Sequence, residues 1–158
     1  MPGTRPSVTQ ASADPVLPRG CSNLKLRQAD RVVSRHYDHH LASVGLKTSQ
    51  YALLGHIAAL GPVRPAELAA AMALDASTLT RNLQPLVAQG WALVGAGDDA
   101  RSRSVQLTDA GRAKHAEAKR AWKKAQLAFN ERLGEARVAQ LHALLDDCLR
   151  VMADDAAG

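Results

Sequence analysis

Apolar residues recur every three or four positions along most of the chain after residue 21, which is the period of an amphipathic helix. This spacing predicts a first helix that begins at Ser22 and ends at Gly45. A second helix is predicted from Thr48, whose hydroxyl can cap it, to about Leu60, where Gly61-Pro62 stops it.

Two shorter helices are predicted in the middle of the chain. The first covers residues 65–72, because proline is tolerated in a first helical turn. Asp75 then suits the N-cap of a helix over residues 76–89, with Gly90 at its C-terminal end. Pro85 lies inside this helix and is expected to bend it or to shorten its regular part.

The period of the pattern changes after Gly90. Residues 91–94 and 104–107 read as two short strands. The segment between them, residues 95–103, is rich in glycine, aspartate and serine, which favour turns. The sequence therefore predicts a hairpin with a long polar tip.

Two long helices close the predicted fold. Thr108 is expected to cap the first, which runs to about Leu133, and Gly134 separates it from a last helix over residues 135–152. Cys148 lies in the apolar stripe of the last helix and is expected in a core. The first and the last two helices all carry such stripes, which predicts burial against a second copy; packing within one chain is the alternative.

The composition of the chain indicates the compartment in which the protein works and the kind of partner that it binds. The first nineteen residues carry four prolines and few apolar groups, which predicts a disordered tail. No apolar run is long enough for a membrane span, no secretory signal is evident, and Cys21 and Cys148 lie far apart, so a reducing cytoplasm is expected. The formal charge of +5 and the pI of about 9.6 suggest a polyanionic partner.

The predicted order of three helices, a strand, a long turn and a strand is typical of a helix-turn-helix with a wing. In such a unit the second helix of the pair enters the major groove of DNA with its N-terminal residues against base edges. Hydroxyl groups bond base edges or phosphates, arginine bonds guanine, and glutamine suits adenine. The candidate DNA contacts on this helix are Ala76, Ser77, Thr78, Thr80, Arg81 and Gln84. Without this context the same residues would be an ordinary capped helix start.

The hairpin tip offers further candidate DNA contacts. Arg101 and Arg103 lie on this narrow hairpin and can reach a minor groove, whose negative potential attracts arginine. Asp99 precedes Arg101 by two positions and is expected to hold its guanidinium. A charged tip is usually just solvated, so its place directly after a helix-turn-helix is what favours DNA binding.

Three linked motifs carry a resemblance to a known family. They are LDASTLTR at residues 74–81, D-x-R-x-R at residues 99–103 and L-T-x-x-G at residues 107–111. Together they resemble the MarR family of transcription regulators, over about residues 22–153. The resemblance implies a homodimer whose two winged lobes grip a pseudo-palindromic operator, commonly as a repressor. It also implies that Arg101 enters the minor groove and that Asp99 orients it.

The expected fold class is mainly α, with a winged helix-turn-helix core, a two-stranded β-wing and flanking dimerisation helices. The expected regions are a disordered tail (1–21), a helical dimerisation region (22–46 and 109–154) and a winged helix-turn-helix domain (47–108). Residues 61–112 carry five arginines and five acidic residues, so the lobe is neutral overall. We therefore expect only a modest dependence of DNA affinity on salt.

Regulators of this family often respond to a small aromatic acid or phenol that binds between the dimer helices and the winged lobe. The candidate effector-binding residues are His36, Tyr37, His40, Tyr51 and His56. His36 and His40 are four positions apart and share a helical face. They could bond a carboxylate, bind a metal or simply pack, and a metal would need a third ligand because Asp38 is expected on another face. No cofactor is expected.

Other classes of function are weaker on this sequence. Some MarR-like proteins sense peroxides through a cysteine near the first helix, and Cys21 stands just before it, although its spacing from Tyr37 differs. The sequence has no phosphate-binding glycine loop, nucleophile elbow or HExxH motif, so an enzyme is not expected. An architectural DNA-binding protein without sequence preference is the other alternative, and the neutral lobe keeps it open.

Overall fold

The computed structural model describes residues 18–97 and 102–154 of the chain. This part of the chain forms six α-helices and one antiparallel hairpin, which confirms the predicted mainly helical winged fold. The elements are α1 (Ser22–Leu41), α2 (Thr48–Leu60), α3 (Pro65–Ala71), α4 (Ala76–Ala88), β1 (Ala92–Ala96), β2 (Arg103–Leu107), α5 (Asp109–Leu133) and α6 (Glu135–Asp154).

Two of the three predicted N-caps are confirmed. The Asp75 carboxylate accepts a hydrogen bond from the Thr78 N–H, and the Thr108 hydroxyl accepts one from the Gly111 N–H. The predicted cap at Thr48 is wrong, because Thr48 is the first residue of α2. Its N–H and its hydroxyl both donate to the Asp38 carboxylate at 2.6 Å, since a charged acceptor on α1 is stronger than a neutral cap.

The helix ends differ slightly from the prediction. The regular part of α1 ends at Leu41, and a 3-10 turn over Ala42–Val44 leads to Gly45, whose φ of 68° is left-handed. Helix α4 runs through Pro85 and ends at Ala88. The tight turns after α1 and α4 therefore depend on glycines that accept a positive φ.

The wing is a short hairpin with a third backbone contact. Strand β1 pairs with β2 from Ala92 opposite Leu107 to Ala96 opposite Arg103, so pairing begins one residue later than predicted and extends further into the turn. Val63, in the loop after α2, exchanges two backbone hydrogen bonds with Val105 of β2. This bridge attaches the base of the wing to the helical core.

The core lies where α2, α4 and β2 meet α5. Its largest fully buried side chains are Leu41, Leu53, Leu54, Ile57, Leu68, Leu86 and Val105. From α5 the buried contacts come from small residues, Ala118, Ala121 and Ala125, which allow close approach of the neighbouring helices. The same core therefore joins the winged lobe to α1 and α5.

Helix α6 and the first half of α1 are exposed within the single chain. Val138 is the one buried side chain that the structure describes on α6, and residues 22–32 of α1 are all exposed. Cys148 is exposed too, so its predicted place in a core is wrong for the single chain. The reason is that α6 packs mainly against α5 within the single chain and leaves the rest of its surface open.

Replacing Gly111 with alanine should destabilise the protein, although alanine normally favours a helix over glycine by roughly 0.5–1 kcal/mol. A Cβ at Gly111 would collide with the backbone carbonyl oxygen of Trp91. Overpacking of this kind costs about 1–3 kcal/mol, and backbone cannot move aside like a flexible side chain. Urea unfolding at fixed protein concentration measures the change.

The matched control is Gly95→Ala, because a Cβ there meets no heavy atom within 4 Å. Its free energy of unfolding should stay within about 0.5 kcal/mol of the unchanged chain. Equal effects at the two positions would contradict the tight packing of α5 against Trp91.

Candidate nucleic-acid interface

The N-terminal half of α4 presents a polar edge to solvent. Its apolar face buries Leu79, Leu83 and Leu86 in the core, which fixes the rotation of the helix. Five of the six predicted contacts on α4 are exposed and Thr78 is half-buried; the exposed ones are Ala76, Ser77, Thr80, Arg81 and Gln84. The predicted polar edge is therefore the outward face of this helix.

Asp75 organises this edge, a role that the sequence reasoning missed beyond its place as a cap. Its Oδ1 accepts the Ser77 hydroxyl at 2.6 Å and the Thr78 N–H at 2.7 Å, and its Oδ2 accepts the Thr78 hydroxyl at 2.7 Å. These bonds hold the pKa of Asp75 well below its usual range, and the bonds from the Ser77 and Thr78 hydroxyls contribute most. Asp75 is therefore a charged acceptor under ordinary conditions.

The other polar groups on this edge are also oriented. The Thr80 hydroxyl donates to the Ala76 carbonyl at 2.8 Å, and Nη2 of Arg81 donates to Oγ1 of Thr78 at 3.3 Å. Ser77, Thr78 and Arg81 thus form a connected set of hydrogen bonds that ends at Asp75, whereas the Thr80 hydroxyl is held separately by the Ala76 carbonyl. A preformed arrangement of this kind reduces the entropy lost on binding.

The wing lies beside α4 across a shared groove of about 650 Å³. Arg103 and Val94 line it from the wing, while Thr80 and Gln84 line it from α4. The structure therefore brings the predicted wing arginine Arg103 next to the predicted recognition helix. The two other predicted wing residues, Asp99 and Arg101, lie outside the described residues.

A second cation lies near the wing on its other side. Arg64, the N-cap residue of α3, lines a small polar cavity of about 240 Å³ together with Arg103 and Gln106. The sequence analysis counted Arg64 only in the charge of the lobe, because no motif marks a residue in the loop before α3. The backbone bridge between the preceding residue, Val63, and Val105 of β2 places Arg64 beside the wing.

The predicted effector residues on α1 contact α5. His36 and His40 share a helical face as predicted, with ring centroids 4.9 Å apart. His36 Nε2 donates to the Ala125 carbonyl at 2.8 Å, and the Tyr37 hydroxyl donates to Gln126 Oε1 at 2.6 Å. Burial raises the pKa of Tyr37. His40 Nδ1 donates to the His36 carbonyl.

His36 also borders a cavity of about 510 Å³ between α1 and the end of α5. Its lining combines apolar side chains with two arginines and two histidines. Its lining residues are Val32, Val33, Arg35, His36, His39, Phe129, Arg132 and Leu133. We call it the α1–α5 groove.

Tyr51 and His56 lie in a different place, on α2 facing α5. The Tyr51 ring stacks between His115 and Trp122, with centroids 5.6 and 5.9 Å away. Burial is the main cause that lowers the pKa of His115, and the nearby positive charge of Lys119 lowers it further. Tyr51, His56 and Trp122 line a shallow cavity of about 350 Å³, which we call the α2–α5 groove. The five predicted effector residues therefore do not form a single pocket.

Cys21, the predicted redox candidate, is an exposed free cysteine directly before α1. Within residues 18–97 and 102–154, no group of three or more histidine, cysteine, aspartate or glutamate side chains could hold a metal ion. No helix of the described segments is long and apolar enough to cross a membrane.

Comparison with known proteins decides the family. The family model for the MarR family matches residues 44–102, the segment from α2 into the wing. The transcriptional regulator MosR of M. tuberculosis, solved in complex with DNA, is 30% identical, with a TM-score of 0.67 over 82% of this chain and 98% of that one. This chain belongs to the MarR family of winged helix-turn-helix transcription regulators. The MarR family consists of regulators, which confirms that the chain is not an enzyme.

Two further relatives agree with this assignment. An uncharacterised HTH-type transcriptional regulator of Bacillus subtilis, YwoH, is 28% identical over 93 residues, which are 59% of this chain and 68% of YwoH. The transcriptional repressor CouR, solved on a 23-mer DNA duplex, is 24% identical, with a TM-score of 0.74 over 82% of this chain and 92% of CouR. The likeness to CouR concerns the fold, which the two chains share over most of their length.

Proposed function

We propose that this MarR-family regulator binds a pseudo-palindromic operator in double-stranded DNA as a homodimer and represses transcription from it. The observation that carries the proposal is that the polar edge of α4 and Arg103 of the wing border one groove. The DNA complexes of MosR and CouR, which share this fold, support it. Helix α4 would lie in the major groove, with Ser77, Thr80 and Arg81 toward the bases.

The wing would reach the flanking minor groove. Arg101 follows Asp99 in the D-x-R-x-R motif and precedes Arg103, which borders the α4 groove. A narrow minor groove concentrates negative potential and attracts an inserted guanidinium. Two lobes related by the dimer axis would read half-sites about one helical turn, roughly 34–36 Å, apart.

Replacing Arg101 with alanine should weaken operator binding by roughly 5- to 150-fold, the equivalent of about 1–3 kcal/mol, because one minor-groove cation is lost. Fluorescence anisotropy at fixed salt, with an operator isolated from a random duplex pool, measures the affinity. The control is Arg120→Ala, which removes an exposed positive charge from α5. Equal affinities for the Arg101 variant and the unchanged chain would contradict the role of the wing.

We infer that a second copy covers the exposed faces of α1, α5 and α6. On α6 the side chains of Leu144 and Leu149 are 70% and 64% exposed, which is unusual for leucine in a regular helix. The α1–α5 groove adds the apolar side chains of Val32, Phe129 and Leu133. A two-fold dimer would bury these surfaces against each other, as terminal helices with apolar stripes commonly do.

Replacing Leu144 with glutamate should weaken the dimer roughly 100-fold or more, because an unpaired charge in an apolar interface costs about 3 kcal/mol. The fold of the single chain should persist, since this side chain is exposed there. Sedimentation equilibrium measures the dissociation constant, and Gln140→Glu adds the same charge at an exposed position of α6 as the control. An unchanged dimer in the Leu144 variant would exclude α6 from the interface.

We also propose that a small aromatic acid or phenol binds in the α2–α5 groove and releases the DNA. This groove joins α2 of the winged lobe to α5, so a ligand there would bias their relative position. Tyr51 and Trp122 supply flat apolar faces for an aromatic ring. His56 donates through Nδ1 to the Ala52 carbonyl, which leaves Nε2 to accept a phenol or, when protonated, to pair with a carboxylate.

Salicylate should therefore quench the fluorescence of Trp122, measured in a Trp91→Phe background that leaves one tryptophan. Replacing His56 with leucine should raise the apparent dissociation constant about tenfold, because the polar partner is lost. Tyr37→Phe, which lies on the α1 side, is the control. Quenching that is absent, or that the His56 variant leaves unchanged, would contradict a salicylate site in this groove.

A further inference from the structure

All three hydroxyl groups at the start of α4 already donate their protons within the protein. Ser77 and Thr78 donate to the two carboxylate oxygens of Asp75, and Thr80 donates to the Ala76 carbonyl. An ionised carboxylate and a carbonyl oxygen can only accept, so the direction of each bond is determined by the acceptor. The protons of these hydroxyls therefore point toward acceptors of the protein itself.

Because their protons are already bonded, these hydroxyls can recognise only certain groups of a ligand. A hydroxyl has one proton and two acceptor lone pairs, so each of these oxygens offers only acceptors outward. Phosphate oxygens are acceptors too and cannot pair with them. In the major groove the complementary donors are the exocyclic amino groups of adenine and cytosine.

Asp75 also links Thr78 to a cation. Nη2 of Arg81 donates to the Thr78 hydroxyl oxygen, which in turn donates to Asp75. The two bonds form a chain of donors that ends at one carboxylate, and this chain holds Arg81 on the DNA-facing edge. If a group that cannot accept replaced the carboxylate, the proton of the Thr78 hydroxyl would lose its acceptor and would be free to point elsewhere.

The same carboxylate opposes the usual role of a helix start. Free N–H groups at a helix N-terminus attract phosphate. Here Asp75 takes the Thr78 N–H at 2.7 Å and adds a negative charge beside it. A DNA phosphate is therefore repelled from the start of α4, which leaves this edge for bases.

We propose that Asp75 is a specificity-determining residue of the DNA interface, because it makes Ser77 and Thr78 into acceptors that select adenine or cytosine amino groups. The proposal rests on the proposed function, in which α4 lies in the major groove. It assigns Asp75 a role in reading DNA without contacting a base itself.

Asparagine at position 75 provides the sharpest test, because it caps a helix about as well as aspartate and so preserves the fold. One of its side-chain atoms is an NH₂ group, which donates and cannot accept the Thr78 proton. In Asp75→Asn the Thr78 hydroxyl is therefore free to donate outward, while Thr80 keeps its bond to the Ala76 carbonyl. Circular dichroism and thermal melting verify that the variant is folded.

The experiment begins with selection of bound duplexes from a random pool by the full chain, by Thr78→Val and by Asp75→Asn. The base pair whose preference disappears in Thr78→Val is the pair that Thr78 reads. We expect Asp75→Asn to change the preferred base at that pair, from an amino-bearing to a keto-bearing base on the same strand. Preferences elsewhere in the half-site should persist.

Modified operators then identify the group that is read. At the pair found above, purine replaces adenine or pyrimidin-2-one replaces cytosine, so that only the exocyclic amino group is lost. We expect the unchanged chain to lose roughly three- to tenfold in affinity, the equivalent of one hydrogen bond. Asp75→Asn and Thr78→Val should lose less than twofold.

A matched control distinguishes the effect of redirecting the Thr78 hydroxyl from the effect of removing one negative charge. Asp109→Asn removes one exposed carboxylate from the first turn of α5 and should leave the consensus unchanged. Asp75→Asn should bind a scrambled duplex more tightly than Asp109→Asn does, since a repulsive charge at the interface is gone.

The outcomes distinguish this inference from the function on which it rests. If the unchanged chain selects no consensus, both the operator-binding proposal and the role of Asp75 are overturned. If it selects a consensus that Asp75→Asn shares at every position, or if loss of the amino group affects the two proteins equally, the role of Asp75 is overturned and operator binding stands.

Discussion

Helix α4, the wing and α5 are held together by the hydrogen bonds around Thr108. The Thr108 hydroxyl donates to the Gly90 carbonyl at 2.6 Å and accepts the Gly111 N–H at 2.9 Å, while the Thr108 N–H donates to the Trp91 carbonyl. Gly90 ends the turn after α4, Trp91 leads into β1, and Thr108 caps α5. The lack of a side chain at Gly111 lets α5 approach this close. The direction of α4 relative to the long helix depends on this packing.

The Asp75 side chain both caps α4 and orients its neighbours, and we propose that this second effect serves recognition. As an N-cap it satisfies a backbone N–H that the helix leaves unpaired. Because a carboxylate has more acceptor sites than the cap requires, it also orients the hydroxyls of Ser77 and Thr78. The hydrogen-bonding character of the polar edge of α4 is therefore a consequence of how the helix begins.

The candidate effector residues lie at two separate places on α5, although one effector pocket was expected from the sequence. The α1–α5 groove includes the apolar side chains of Val32, Phe129 and Leu133 and belongs to the surface that a second copy is proposed to cover. The α2–α5 groove, lined by Tyr51, His56 and Trp122, borders the winged lobe. A ligand in the second groove would act on the angle between lobe and dimer helices without occupying the proposed interface.

The sequence by itself determined the helices, the hairpin, the caps at Asp75 and Thr108 and the family, because these depend on local spacing and on residues adjacent in the chain. Tertiary structure alone decided that Asp38 takes both Thr48 protons, since that acceptor is ten residues away. It also separated Tyr51 from the α1 histidines, because each packs on a different part of α5. The direction in which each hydroxyl of α4 donates likewise depends on where its acceptors lie in space, and the order of the residues does not give these positions.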